Sequence, residues 1–212
     1  MTMLYVAHTG LRKRQGVEPI IMTTRKTIHI IFFTILTVLL NVAGKLLALH
    51  FQLPLWLDSL GTVQAAFVGG PICGAMVGVT ANLAYCTVSR MSAFHSITSI
   101  AIGVIVGISA RRHVFDTFYG FMKVTTLVIL VSLLVSLPIN MIFSEGYTGN
   151  TWGDALIAYL MKRGWPDVIS KVLGQLFLEF PDKLVTLLCV YVWARVDRMR
   201  RSKEVPTELS GA

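Results

Sequence analysis

Residues 53–86 read LPLWLDSLGTVQAAFVGGPICGAMVGVTANLAYC, and this stretch decides the fold. A single carboxylate, Asp58, precedes an apolar run that breaks at Gly69-Gly70-Pro71. As a helix, residues 60–69 extend only about 15 Å, half of the roughly 30 Å of hydrocarbon in a bilayer. Apolar segments cut short by glycine and proline are tolerated in a membrane where protein encloses them or where they line a cavity. The stretch therefore predicts a small-molecule cavity with Asp58 at its mouth and the remaining spans built around it.

Composition agrees with a membrane setting. Of 212 residues 54% are hydrophobic and 14% charged, and the mean hydropathy is +0.68. Soluble domains carry nearer a quarter charged residues, so the chain reads as one all-α, polytopic membrane domain. The net charge of +8 gathers at Arg12-Lys13-Arg14, Arg25-Lys26, Arg111-Arg112 and residues 195–203, each beside an apolar span. Such clusters set orientation in a bilayer, so the basic balance implies no nucleic-acid partner. The three cysteines, Cys73, Cys86 and Cys189, fall in apolar segments without metal-type spacing and read as small buried hydrophobes. No metal site is predicted.

Along the chain, residues 1–26 read as a polar cytoplasmic tail, 27–197 as a six-span membrane domain, and 198–212 as a basic cytoplasmic tail. The spans fall at 27–49, 56–69, 71–88, 94–110, 120–143 and 168–194, with the second one short. Pro71 suits the first turn of the third span. Gly70, Gly74 and Gly78 line up four apart as a groove for a neighbouring helix, with Asn82 one turn beyond. Pro138 should kink the fifth span. Residues 152–161, inside the polar connection 144–167, form a short amphipathic helix. The sixth span carries Lys171, Gln175, Glu179 and Lys183 on one face, and Pro181-Asp182 interrupts it.

Six crossings with both termini inside place every basic cluster in the cytoplasm. The connections 50–58, 89–93 and 144–167 then face outward. Counting about 1.5 Å per residue, Lys45 and Glu179 lie at one depth and predict an ion pair, with Asn41 and Asp182 at the next level. Asp182 and Lys183 are deep enough that they must pair or line a wet cavity. Asp58, Asn82, Arg90, His95, Trp152 and Glu179 are the candidate ligand contacts at the outer end. Each has a plain alternative: Asp58 as a helix cap, Asn82 as an interhelical clasp, Trp152 as an interfacial anchor. No hydrolase, zinc-protease, nucleotide-binding or dithiol motif occurs, so no catalytic residue is assigned.

The segments Leu57-Asp58-Ser59-Leu60-Gly61-Thr62, Gly70-Pro71-Ile72-Cys73-Gly74-Ala75-Met76-Val77-Gly78 and Pro181-Asp182-Lys183 resemble the substrate-binding (S) subunits of energy-coupling factor transporters. The resemblance covers residues 27–195. It implies a multi-pass protein of the bacterial cell membrane that captures a vitamin-like micronutrient from outside. It also implies docking on a transmembrane coupling subunit driven by two ATPase subunits, which would use the ATP, with no cofactor in this chain. The loops around Asp58, Arg90 and Trp152 would form the site, and Gly44 with Ala48 on the first span would form the docking face. A similar L-D-x-x-G-T segment occurs in multi-span sensor regions of bacterial histidine kinases, so a membrane sensor signalling through a partner is the alternative reading. An intramembrane enzyme using Asp58 with His50 or His95 is the third.

Overall fold

A computed structural model describes the backbone of residues 18–204 and the side chains of residues 28–196. Among these residues the fold is all helical. Helix α1 spans Glu18–His50, α2 Leu60–Gly69, α3 Pro71–Tyr85, α4 Met91–Phe94 and α5 Ser96–Arg111. After a single 3-10 turn at Val114–Asp116 come α6 (Phe118–Phe143), α7 (Thr151–Lys162) and α8 (Asp167–Glu204). Among the described residues three stretches are long and apolar enough to cross a bilayer: Ile28–His50, Met91–Arg111 and Phe118–Phe143. They mark a membrane protein. Two further apolar helices, α2 and α3, are shorter than a full crossing.

Helix α1 begins at Glu18, inside the stretch read as tail, and α8 continues to Glu204, beyond the expected boundary at 197. The cluster at 12–14 and residues 205–212 lie outside the described residues. Pro181 does not break α8, and Pro138 lies within α6. Proline removes one backbone donor from a helix, and both helices run on past theirs.

The short α2 is the centre of the bundle, packed against α1, α3, α5 and α8. Close approach explains its glycines. A Cβ on Gly61 would collide with the Thr37 carbonyl of α1. Gly70 turns the chain between α2 and α3 with φ of 88°, a left-handed conformation that glycine adopts freely. The predicted groove is real and α5 fills it with glycines of its own. A Cβ on Gly103 would strike the backbone of Gly74 and Ala75, and one on Gly107 the backbone of Gly70 and Pro71.

The two ends of the bundle differ. Toward Arg111 and Arg195, Val63, Ala66, Ile102, Val106, Phe121, Val124, Val128 and Leu187 close into an apolar core. Arg195 Nη2 donates to the Asp116 carbonyl at 2.8 Å at this end. Toward the connections 51–59, 86–90 and 144–150, the apolar filling gives way to buried polar side chains and a cavity. Helix α7 lies on α8 through small residues: a Cβ on Gly153 would meet Leu178, and one on Gly174 would meet Ile157. Cys189 is exposed on the outer face of α8, contrary to the expected burial, while Cys73 and Cys86 are partly buried.

Candidate functional site

The segment ahead of α2 is held from two sides. Asn41 of α1 accepts the amides of Gly61 at 2.6 Å and Thr62 at 3.3 Å through Oδ1, and donates through Nδ2 to Thr62 Oγ1 at 2.8 Å. It thereby satisfies donors that every helix leaves unpaired at its first turn. Ser59, the N-cap residue of α2, makes no side-chain cap bond. The capping alternative for Asp58 is therefore replaced by a cap supplied from α1. From the other side, Asp182 of α8 accepts the amides of Trp56 at 3.0 Å and Leu57 at 2.7 Å. Leu57 has φ of 53°, and this left-handed kink is held in place by those bonds.

With its neighbours anchored, Asp58 is left to face the charges. Its carboxylate lies 3.5 Å from Lys45 Nζ and 3.8 Å from Lys183 Nζ. Burial disfavours its ionised form, but Lys183 and Lys45 outweigh that and hold its carboxyl below the usual carboxylate range. Lys183 is the hub. Its ammonium meets Asp182 at 2.6 Å, Ser59 Oγ at 3.2 Å and Glu179 Oε2 at 3.4 Å. Lys45 donates to Ser92 Oγ at 3.3 Å and sits 4.6 Å from the centre of the Tyr85 ring.

The predicted Lys45–Glu179 ion pair is not formed. The segment 51–59 folds back into the bundle and inserts Asp58 beside both lysines, so Lys45 pairs with Asp58 and Glu179 with Lys183. Lys171, from the same stripe of α8, pairs locally with Asp167 at 2.7 Å.

A cavity of about 340 Å³ opens beside this cluster, within the size range of small-molecule pockets. Asp58, His95, Glu179, Lys45 and Lys183 line it, with Trp56 and Tyr85 as aromatic walls. Asn140 and Gln175 also line it, joined at 2.8 Å, and Gln175 passes a second bond of 2.9 Å to Glu179 Oε1.

Three of the predicted contacts stand elsewhere. Asn82 is an interhelical clasp: it donates to Ser99 Oγ at 2.7 Å and to the Gly78 carbonyl, and accepts from Ser92 Oγ at 2.9 Å. Its hydrogen-bonding capacity is spent inside the protein. Arg90 is exposed at the start of α4. Trp152 is 52% exposed and ties α7 to the 51–53 turn, donating from its indole to the Gln52 carbonyl at 2.6 Å. The docking pair is corrected as well. Gly44 and Ala48 are buried, and Gly44 lies against the Leu57 carbonyl, so a partner helix would have to displace the 51–59 segment to reach them.

The sequence reading missed Tyr85, Asn140 and Gln175 as lining residues. Gln175 was visible in the four-residue stripe of α8, and Asn140 as an amide two positions after Pro138 in an apolar run. Tyr85 gave no signal beyond closing an apolar segment. Among the described residues no group of three His, Cys, Asp or Glu side chains is placed to hold a metal ion.

Comparison with family models, with curated proteins and with solved structures finds no match to this chain.

Proposed function

We propose that this chain is the substrate-capture subunit of an ATP-driven micronutrient importer of a bacterial cell membrane. One observation carries the reading. The half-length α2 leaves the polar end of the bundle unfilled, and Asp58, His95 and Glu179 converge on the resulting cavity. Such a pocket, with apolar walls from Leu49, Trp56, Tyr85 and Ile102 and many convergent polar side chains, suits a small molecule. The resemblance of the 57–62, 70–78 and 181–183 segments to energy-coupling factor S subunits points the same way.

In this reading α1, α2, α3, α4 with α5, α6 and α8 make six crossings, both termini are cytoplasmic, and the cavity faces outward. Arg111, Arg112 and Arg195 lie at the end away from the cavity, as the positive-inside rule requires. The chain performs no chemistry of its own and carries no cofactor. A transmembrane coupling subunit and two ATPase subunits supply the driving force, and capture rests on closing the pocket over the guest.

Two measurements test this. The full chain, affinity-purified from its own membrane in mild detergent, should bring down a coupling subunit and ATPases. Mass spectrometry should also find a small molecule in stoichiometric amount. An Arg90→Cys variant in intact cells should react with a membrane-impermeant maleimide, and Arg112→Cys should not; the reverse pattern overturns the topology. A sensor is the second reading, favoured by the continuity of α8, which carries Gln175, Glu179 and Lys183 at the cavity and runs on to Glu204. Recovery of a kinase in place of ATPases would decide for it.

A further inference from the structure

Acidic side chains outnumber basic ones in the cluster at the cavity. Three carboxylates, Asp58, Asp182 and Glu179, face two ammonium groups, Lys45 and Lys183. His95 lines the same cavity. Both lysines are already engaged. Lys183 is held by Asp182 at 2.6 Å, with Ser59, Glu179 and Asp58 around it. Lys45 is shared between Asp58, Ser92 and the faces of Tyr85 and Trp56. Each ammonium thus already has a carboxylate beside it.

The carboxylates are not equally spent. Asp182 is fully buried and committed to the Trp56 and Leu57 amides and to Lys183. Glu179 is 4% exposed, and its Oε1 accepts one bond from Gln175. Its Oε2 has no hydrogen-bond partner, although it lies 3.4 Å from Lys183 Nζ. An ionised carboxylate can accept about four hydrogen bonds, and leaving such capacity unused in a buried place is costly. Nearby, the Tyr85 hydroxyl is also buried without a partner, and both side chains line the cavity.

We propose that the cavity takes a small organic cation, a positively charged nitrogen bearing N–H donors on a largely apolar body, which Glu179 holds through its unpartnered oxygen. The assignment rests on the capture reading and names the chemical class of its guest. The guest nitrogen pairs with the Glu179 carboxyl, and the Tyr85 hydroxyl takes up a second polar edge. An anion would meet the acidic side chains Asp58 and Glu179, which line the cavity beside the two lysines.

Benzamidine, benzamide and benzoate share one planar body and differ in charge, and they test the assignment directly. Binding of each to the full chain in detergent is measured by calorimetry and thermal shift, with wild type and Glu179→Gln. Benzamidine should bind wild type about tenfold or more tightly than benzamide, as one charge-assisted hydrogen bond provides, and benzoate should not bind. Glu179→Gln should erase the difference between benzamidine and benzamide. Should that variant not fold, the ranking on wild type alone decides the matter. Benzoate or benzamide binding as well as benzamidine would overturn the cation assignment and leave capture standing. Absence of binding by all three would overturn the cation assignment, while capture itself stands or falls on the copurification and mass spectrometry above.

Discussion

Asp182 and Leu57 lie 125 positions apart, and the carboxylate of the first accepts the backbone amide of the second at 2.7 Å. The bond fastens the loop ahead of the central short helix to the middle of the last one. Because Asp182 also grips Lys183 at 2.6 Å, one buried side chain sets both the course of the 56–59 backbone and the position of the ammonium beside Asp58.

Removing that carboxylate should therefore act on folding before binding. Asp182→Ala leaves two backbone donors and a buried ammonium short of a partner, and breaking a buried pair in this way costs about 3–5 kcal/mol. Asp182→Asn keeps an acceptor for the amides and should cost clearly less. Unfolding in mixed micelles, followed by circular dichroism, would rank the two; equal losses would refute the anchoring role.

Asn41 makes a separable contribution. Asn41→Ala strips the first turn of α2 of its acceptor and leaves Thr62 Oγ1 without its donor, for an expected loss of about 2 kcal/mol. Asn41→Asp retains the acceptor and should recover part of it. A loss below about 0.5 kcal/mol in the alanine variant, within the scatter of surface substitutions, would argue against the cap.

The glycine seam between α3 and α5 should be intolerant of any side chain. A Cβ on Gly103 meets backbone rather than a movable side-chain tip. Gly103→Ala should thus destabilise by about 1–3 kcal/mol through overpacking. Gly149→Ala offers a contrast, since nothing stands near its Cβ position and only its φ of 76° opposes the change. Thermal unfolding of the two variants side by side checks the ordering.

Asp58 links stability to pH. Its folded-state carboxyl lies below the ordinary value of 3.8, so its ion contacts contribute fully above that value and are lost as pH falls through the folded one. Wild type should lose more stability than Asp58→Asn between neutral pH and about pH 3. Parallel acid-unfolding curves for the two proteins would contradict this. At neutral pH the same variant should weaken guest capture while remaining folded, because Asp58 is only partly buried.

Much of the fold could be read in the chain because glycine and proline act locally. Gly69-Gly70-Pro71 fixes the end of α2 and the start of α3, and residues 151–162 form the expected amphipathic helix almost to the residue. The Gly70, Gly74 and Gly78 groove was visible from spacing alone. The pairing of charges was not. Counting rise along two helices places Lys45 level with Glu179, but it cannot see a nine-residue loop returning between them with a carboxylate. Nor could spacing show that Asn82 would find Ser92 and Ser99 and be consumed, or that Gly44 and Ala48 would turn toward Leu57. These outcomes depend on which distant residues the tertiary fold brings together, and spacing along one sequence does not carry that information.

The bonds from Trp152 to Gln52 and from Asn150 to Leu53 weld two borders of the cavity into a single piece. Across from them, residues 86–91 form hydrogen bonds only within 83–95, among the described residues. The cavity thus has one lip tied across the bundle and one, bearing Val88 and Ser89, held by local bonds.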